Sequence, residues 1–286
     1  MPTRLVVAYL LGLLLLLAAF WLAGLWRAQR ENHQLIQQQV LQATEPHTID
    51  LRPEVYQDLP APVRRYFDFA FNGRAQVQVD WVDWSEHGDF LLPVGRFTAQ
   101  GRQTSRAADP VYAWTGTFWR FGLPMIESRD AFFPGGHDMR AKLLGWIKVM
   151  HTDYADAKDR ASLHSYLVLR YYGQAPLMPW ALLPNAHVRW VARDDRSAHL
   201  EVTRAGLAAR YLVKFGVDSR IDSMETDRLL MEGNGTMQRE FGQKLDYQEV
   251  GGFRIPSRMD YRWTADDGTL ISHYAFQVSG LRHFHR

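Results

Sequence analysis

The stretch SRMDYRWTADDGTLISHYAFQV, residues Ser257–Val278, decides the fold class of this chain. Its two halves are separated by Asp267-Gly268, a pair typical of a tight hairpin turn. Apolar residues alternate with polar ones in both halves: Met259, Tyr261 and Trp263 before the turn, and Leu270, Tyr274, Phe276 and Val278 after it. A period of two predicts strands with one buried and one wet face, paired as an antiparallel hairpin.

The same alternation recurs towards the N-terminus. Residues 75–81, AQVQVDW, and residues 206–217, GLAARYLVKFGV, both place apolar side chains at every second position. Glycine-rich turn signals lie at Gly233-Asn234-Gly235 and Gly251-Gly252. These signals predict roughly nine to eleven antiparallel strands, with no regular alternation of strands and helices and no internal repeat.

Two segments read as helices that cover this sheet. Ser162–Trp180, SLHSYLVLRYYGQAPLMPW, begins with Leu163, Tyr166, Leu167 and Tyr171 at helical spacing. Pro176 and Pro179 then interrupt it, which indicates a lid-like element along the mouth of the sheet. A shorter helix is predicted within residues 59–73, where Val63, Tyr66, Phe67 and Phe71 share one face.

The N-terminal segment predicts a membrane anchor. Leu5–Trp26 contains 22 residues without a charge, enough to cross about 30 Å of hydrocarbon at about 1.5 Å per residue. A cleaved signal peptide is the alternative, but Phe20, Trp21 and Trp26 disturb the small-residue cleavage pattern. Positive charges on the two sides nearly balance, and the short tail of residues 1–4 favours export of the C-terminal domain. We expect a single-pass membrane protein whose C-terminal domain is exported.

Residues 27–58 are expected to form a stalk helix and linker between the anchor and one β-rich domain, residues 59–286. The helical part, Arg27–Ala43, carries Leu35, Ile36, Val40 and Leu41 on a narrow face. Two interpretations stay open here. The segment is a solvated spacer, or its apolar face contacts a membrane-protein partner.

Composition excludes several classes of function. Lys and Arg total 33 against 31 Asp and Glu, for a net charge of +2 at pH 7, which argues against nucleic acid as a partner. Because the chain has no Cys, it has no disulfides, no thiolate catalysis and no thiolate-bound metal. The strand and helix signals together give a fold class that is α+β and β-dominated: an N-terminal transmembrane helix followed by a large antiparallel sheet covered by one or two helices.

The C-terminal region also supports a resemblance. Asp246–Leu281 reads as strand, Gly-rich turn, long strand, Asp-Gly turn and long strand. This order resembles the closing strands of lipoprotein-carrier-like half-barrels, in which a curved sheet wraps around helices and holds acyl chains. The segments LPAPVRRYF, FTAQGR, GLPMIESRDAFF, AKLLGWIKV and APLMPWALLPN, within Leu59–Leu281, resemble an uncharacterised bacterial family of membrane-associated proteins. The first resemblance implies that the sheet is curved into a half-barrel. The second implies a bacterial protein, so the expected membrane is the bacterial inner membrane and the exported domain is periplasmic; it implies no activity and no catalytic residues.

Catalytic signatures are missing from the sequence, which contains neither a nucleophile elbow nor a zincin motif. Three polar groups could form sites: His151 with Asp153 and Asp156 as metal ligands, His137 with Asp138 as a catalytic dyad, and His283 with His285 as a weak metal chelate. A helix-entry loop, a hairpin tip and an exposed tail explain them more simply. We therefore expect no cofactor and no metal, and we favour a binding or structural protein over an enzyme.

Aromatic residues carry the strongest functional signal, at 13% of the chain with ten Trp. They form either a thick core or an apolar cavity open to a lipid or another apolar ligand. The residues expected to line such a cavity are Trp114, Trp119, Trp146, Leu167, Tyr171 and Trp180. Two functions follow: a membrane-anchored module that binds an apolar ligand, or a structural protein of a membrane complex whose core is filled.

Overall fold

A large antiparallel sheet forms most of the computed structural model, which describes residues 2–42, 47–151, 157–204, 207–226, 229–230 and 237–285. The helices are α1 Pro2–Leu35, α2 Ala61–Phe71 and α3 Ala157–Gln174. The strands are β1 Thr48–Asp50, β2 Gln76–Gln78, β3 Trp81–Leu92, β4 Gly95–Arg106, β5 Tyr112–Arg120, β6 Leu123–Phe133, β7 Gly136–Leu143, β8 Ile147–His151, β9 Val188–Asp194, β10 Ser197–Arg204, β11 Leu207–Phe215, β12 Ile221–Thr226, β13 Leu229–Leu230, β14 Met237–Val250, β15 Phe253–Ala265 and β16 Leu270–Phe284.

Fourteen strands form one sheet in the order β8-β7-β6-β5-β4-β3-β16-β15-β14-β12-β11-β10-β9, with β13 paired to β14. The hairpin predicted at Ser257–Val278 is confirmed, because Tyr261 lies opposite Tyr274 and Met259 opposite Phe276. The strand number exceeds the predicted range. Strands β3 to β6 carry polar side chains at inward positions, such as Gln103 and Asp130, so their alternation is masked in the sequence.

The sheet is curved, as the half-barrel prediction requires. The Tyr211 hydroxyl of β11 donates to the Leu169 carbonyl of α3, while Arg170, the next residue, pairs with Asp130 of β6. Eight strand spacings separate β6 from β11, which is about 38 Å in a flat sheet. Adjacent helix residues contact both strands only because the sheet bends around α3.

Helix α2 covers another part of the inner face, as predicted. Val63, Tyr66, Phe67 and Phe71 are all buried. The helix ends at Asn72, whose left-handed φ of 51° is tolerated better by Asn than by most residues. Two 3₁₀ turns, Ala175–Leu177 and Pro179–Leu182, follow α3 where the prolines were expected to interrupt it.

Helix α1 docks on the outer face of the sheet instead of projecting as a stalk. After Leu35 the chain continues as one π-helical turn, Ile36–Val40. Leu35, Ile36 and Val40 pack against the sheet. Their partners are Val111 in the loop before β5, Ala113 of β5 and Ala131 of β6. The apolar face that could have contacted a membrane-protein partner is therefore covered by the sheet of the same chain. The expected linker also contains a strand, since β1 pairs with β2.

Polar contacts reinforce this docking. Both Arg140 Nη2 and Lys142 Nζ of β7 lie 2.8 Å from Glu31 Oε2. Arg129 of β6 donates to the Glu31 carbonyl at 3.1 Å and to Asn32 Oδ1 at 3.2 Å. Buried charged side chains need hydrogen-bonding or ionic partners, and these contacts between α1 and the outer face provide them.

The contacts between α1 and the sheet begin at one end of the strands. Trp146 Nε1 donates to the Phe20 carbonyl at 2.9 Å, and Trp21 Nε1 donates to the Pro124 carbonyl at 3.2 Å. We call this end, with the β3–β4, β5–β6, β7–β8 and β15–β16 turns, the α1 end. The preceding part of α1 projects beyond it, within the one helix of the described chain that is long and apolar enough to cross a membrane, with mean hydropathy 2.7.

Replacing Glu31 with Gln is expected to lower the free energy of unfolding by about 1–3 kcal/mol, because Arg27, Arg140 and Lys142 lose their shared carboxylate. Partial burial opposes ionisation of Glu31, but hydrogen bonds from Lys142 and Arg27 outweigh it and lower its pKa from 4.5 to about 2. A carboxyl group with a lowered folded-state pKa stabilises the fold above its unfolded pKa. The difference between wild type and E31Q should therefore be full above pH 4.5 and shrink as the pH falls towards 2.

Thermal unfolding of the full-length chain in detergent, followed by tryptophan fluorescence from pH 7 to pH 2, measures this difference. The matched control is E54Q, which changes an exposed carboxylate away from α1. Equal midpoints for E31Q and E54Q at neutral pH would contradict the docking role.

Candidate functional site

A buried carboxylate, Glu86, lies at the centre of the inner face and is 2% exposed. Four donors surround it: Trp84 Nε1 at 2.9 Å, Trp114 Nε1 at 2.8 Å, Tyr274 Oη at 3.1 Å and Gln174 Nε2 of α3 at 3.3 Å. Three of these donors belong to aromatic rings. The rings therefore turn their polar edges towards Glu86 and their apolar faces outward.

Two glycines allow Trp114 to reach Glu86. The indole lies across Gly116 of its own strand and Gly101 of β4, which are opposite each other in the register. A Cβ at Gly101 would lie 2.9 Å from Trp114 Nε1, closer than side chains tolerate. The glycines are thus required by the close approach of the ring.

A second buried carboxylate, Glu240 of β14, repeats the arrangement. Its Oε1 lies 2.9 Å from Tyr211 Oη, whose single proton is shared between this carboxylate and the Leu169 carbonyl, and its Oε2 accepts from Trp263 Nε1 at 3.0 Å. Nearby, Lys244 Nζ donates to Tyr261 Oη at 3.0 Å and lies 4.3 Å from the centre of that ring. Lys244 is 1% exposed, which is unusual for a lysine.

An ion pair joins α3 to the sheet beside these two carboxylates. Arg170 Nη1 lies 2.9 Å from Asp130 Oδ2, and the guanidinium stacks over the Trp114 ring at 5.0 Å. The side chains are 14% and 7% exposed. A pair of this kind contributes little net stability, but it fixes which way α3 faces.

Burial changes the ionisation of these groups. It raises the pKa of Glu86, Glu240 and Asp130, since the charged form of a carboxyl is disfavoured away from water. It lowers the pKa of Lys244 from 10.5 to about 7, an effect that the charge of Glu240 only partly offsets. Burial also acts to lower the pKa of Arg170, but the Asp130 carboxylate outweighs it and the pKa is raised.

Tyrosine hydroxyls hold α3 over the sheet. Those of Tyr112, Tyr211 and Tyr261 donate to the carbonyls of Leu167, Leu169 and Gly173, at 3.0, 3.0 and 2.8 Å. These three tyrosines come from β5, β11 and β15, so strands from both halves of the sheet contribute. The three carbonyls lie in the last two turns of α3, so these hydrogen bonds attach the C-terminal half of the helix to the inner face.

An aromatic cluster occupies the inner face between these groups and the α1 end. The Phe90 ring lies 4.8 Å from Tyr274, 5.4 Å from Phe118 and 6.2 Å from Trp263, while Phe97 lies 6.2 Å from Phe118. We call Phe90, Phe97, Phe118, Trp263 and Tyr274 the aromatic end. Phe90 is only partly buried, and the other four are buried.

The residues predicted to line a cavity divide into two groups. Trp114, Leu167, Tyr171 and Trp180 lie on the inner face or its covering elements and are all buried. Trp180 packs against Phe253 at 4.9 Å and His283 at 5.1 Å, far from the α1 end.

The other two predicted residues lie elsewhere. Trp146 stacks on Phe20 of α1, with ring centres 4.9 Å apart. Trp119 is the neighbour of the inward-facing Phe118 and lies opposite Thr98, so it is on the outer face. The six residues therefore do not form one cluster.

The polar groups weighed in the sequence are also separated. His137 approaches His164 of α3 on the inner face, with Nδ1 and Nε2 2.9 Å apart, whereas Asp138 pairs with Arg129 on the outer face. His283 is part of β16 rather than an exposed tail, and burial lowers its pKa to about 4. Asp153 and Asp156 lie outside the described residues, among which no group of three or more metal-binding side chains occurs.

Sequence reasoning missed Glu86, Glu240, Lys244 and Arg170. A signal for Glu86 was present, since it follows Trp84 by two residues and therefore shares its face of β3. Glu240 and Lys244 share their face of β14 for the same reason. A charge at an inward position of an alternating strand is the pattern that identifies such groups.

The sequence profile of DUF6920, a family of unknown function, matches residues 57–283. The chain belongs to this family. The expected resemblance to an uncharacterised family is therefore confirmed. A comparison with curated proteins finds no match.

Among solved structures, a LolA-superfamily protein from Nitrosomonas europaea is similar, with 10% identity, a TM-score of 0.37, and coverage of 78% of this chain and 92% of that one. An outer-membrane lipoprotein-sorting domain from Vibrio parahaemolyticus shows 10% identity, a TM-score of 0.39, and coverage of 81% and 91%. A DUF1329 family protein from Desulfovibrio piger shows 8% identity, a TM-score of 0.35, and coverage of 78% and 92%. Two of these names, LolA superfamily and lipoprotein-sorting domain, match the resemblance of the C-terminal strands.

Lys244 makes the stability of the inner face depend on pH. Between pH 7 and 10.5 the unfolded chain binds a proton at this lysine that the folded chain releases. Stability should therefore rise with pH through this window, by an amount on the order of a few kcal/mol. In K244M the proton is absent from both states, so this rise should disappear.

Unfolding midpoints of the full-length wild type and K244M from pH 6.5 to 10.5 test this expectation. The control K214M replaces a lysine of β11 whose side chain is 52% exposed. Its difference from wild type should stay constant across the range. A K244M profile parallel to that of wild type would show that Lys244 is not the group responsible.

Proposed function

We propose that this DUF6920 member is a membrane-anchored, non-enzymatic module that binds a lipid or another apolar ligand on the aromatic end of its inner face. The observation that carries the proposal is the position of the aromatic end. Five aromatic side chains lie together on neighbouring strands at the end of the sheet from which α1 projects.

The hydrogen bonds of the inner face suit an apolar ligand. Tyr274 donates to Glu86 and Trp263 donates to Glu240, so both polar atoms are satisfied within the fold. Their rings pack with those of Phe90 and Phe118, and Phe90, which is only partly buried, presents apolar surface at the edge of this group. Rigid rings of this kind make large apolar contacts at a small entropy cost, as an acyl chain requires.

The anchor places this surface beside a source of lipid. The 22-residue charge-free run Leu5–Trp26 is long enough to cross a bilayer, and Trp21 and Trp26 fit its interfacial layer. Because α1 enters the sheet at the aromatic end, a ligand leaving the bilayer meets this end first. We place the domain on the periplasmic side of a bacterial inner membrane, in keeping with the short N-terminal tail.

The titratable groups favour binding over catalysis. Glu86, Glu240, Asp130 and Arg170 are each engaged by neighbouring side chains of the same fold. Groups held in this way position α3 and the aromatic rings. This arrangement supports a binding surface beneath which the buried charged groups have a structural role.

One observation favours the alternative, a structural protein with a filled core. Leu167 and Tyr171 of α3 and Trp180 after it are almost completely buried, so the middle of the inner face is closely packed. Under this alternative the aromatic end simply continues the core, and no ligand binds.

Replacing Phe90 with Ala should weaken binding of a fluorescent fatty acid by about 5–10-fold, because an aromatic contact contributes roughly 1–1.4 kcal/mol. Phe90 is suited to the test because it is only partly buried, so its removal leaves the packed core in place. Titration of the full-length chain in detergent with cis-parinaric acid measures the dissociation constant.

The control is F69A, which removes a partly buried Phe that contacts Tyr247 at 5.5 Å, near the opposite end of the sheet. Its dissociation constant should equal that of wild type. Saturable binding that F90A and F69A weaken equally would argue against the aromatic end as the site. A wild-type chain that does not bind the probe would favour the filled-core alternative.

A further inference from the structure

Exposed apolar side chains cluster on three turns at the α1 end of the sheet. Val94 lies on the β3–β4 turn and is 67% exposed, and Phe121 on the β5–β6 turn is 88% exposed. Leu123 starts β6 and is 46% exposed, while Ile147 and Val149 of β8 are 57% and 54% exposed. We call these five residues the apolar rim. Single exposed apolar residues are ordinary, but a group on adjacent turns indicates a contact surface.

The backbone at two of these turns reinforces the point. Phe121 and Gly122 have φ values of 55° and 75°, and Leu144 and Gly145 have values of 53° and 77°. Two successive residues with positive φ are typical of type I′ hairpin turns, where Asn-Gly is preferred. A bulky apolar residue at the first position is unfavourable for the backbone. The benefit of Phe121 must therefore come from what its exposed ring contacts.

The length of α1 places the rim relative to a bilayer. The charge-free run Leu5–Trp26 would span about 33 Å, close to the roughly 30 Å of a hydrocarbon core. However, the turns at the α1 end already contact α1 at Phe20, Trp21 and Gly24. Only residues 5–19, about 22 Å of helix, precede these contacts. If the whole run is used for the crossing, the turns lie at the level of its last turns.

Basic side chains lie where lipid headgroups would be. Arg120 donates to the Val94 carbonyl at 3.2 Å, and its guanidinium lies over the Phe121 ring at 5.2 Å. Lys148 is exposed between Ile147 and Val149, and Arg27 of α1 lies over the Trp146 ring at 5.5 Å. Aromatic and aliphatic tips flanked by basic groups match the boundary between acyl chains and phosphates.

We propose that the apolar rim inserts into the interfacial layer of the bilayer that holds α1, so that the domain lies end-on against the membrane. The inference rests on the membrane anchoring in the proposed function and adds a second contact with lipid. The aromatic end of the inner face then opens directly onto the acyl-chain region. The acidic pair Asp266 and Asp267 marks the limit of the inserted surface, on the β15–β16 turn.

Because the chain has no Cys, single cysteines can be introduced and labelled with an environment-sensitive fluorophore. Phe121→Cys and Val94→Cys report on the rim, and both positions are exposed enough to leave the core unchanged. Ala108→Cys, an exposed position between β4 and β5, reports on the opposite end. Leu11→Cys, within the apolar run, reports on the anchor itself. The full-length chain is reconstituted into vesicles of phosphatidylcholine and phosphatidylglycerol, with or without doxyl-labelled lipid.

Labels at positions 121 and 94 are expected to be quenched by doxyl lipid nearly as strongly as the label at position 11. The label at position 108 should keep its emission. If position 11 is quenched while 121 and 94 behave like 108, the anchor stands and the rim proposal is overturned. If position 11 also escapes quenching, the anchoring itself fails, and the rim proposal with it. A blue shift at 121 without lipid quenching would indicate contact with a second copy of the chain and would also overturn the proposal.

Discussion

The hydrogen bonds between sheet tyrosines and the carbonyls of α3 are the interaction on which the rest of the structure depends. Tyr112, Tyr211 and Tyr261 reach the same short helix from strands that a flat sheet would hold far apart. The sheet must therefore curve around α3. Curvature gives the sheet an inner face, and the aromatic end and the buried carboxylates exist only on that face.

Burying two carboxylates and a lysine beside α3 is costly in an otherwise apolar interior. The donors around Glu86 and Glu240 reduce this cost, since each carboxylate accepts several hydrogen bonds. Such networks are better at fixing one arrangement than at adding net stability. Here they orient Trp114, Tyr274 and Trp263, and this orientation leaves the ring faces apolar towards the α1 end.

The contacts on the outer face join α1 and the β-rich domain into one unit. Glu31 and Asn32 of α1 meet the basic groups of β6 and β7, and Val40 continues the contact to the far end of the strands. A helix held along its length cannot act as a loose tether. The α1 end of the sheet is thus kept at a fixed level relative to the apolar run.

Much of the fold could be predicted from periodicity. The alternation in Ser257–Val278 gave the hairpin, and the spacing of Val63, Tyr66 and Phe67 gave α2. The docking of α1 could not be predicted, because Leu35, Ile36 and Val40 form an apolar face without indicating what covers it. Trp146 was assigned to the inner face from its residue type, whereas its contact with Phe20 depends on a pairing 126 residues apart in sequence. Glu86 was missed because a charged residue in a strand is ordinarily expected on the wet face.

Native mass spectrometry of the full-length chain, released gently from detergent micelles, tests the central claim most directly. If the inner face holds an apolar ligand, the folded chain of 33.1 kDa should be accompanied by a species heavier by the mass of one lipid. Tandem dissociation should release that lipid and identify its headgroup and chains. A folded chain observed only at its own mass, even after incubation with membrane lipids, would contradict the account and leave a filled core.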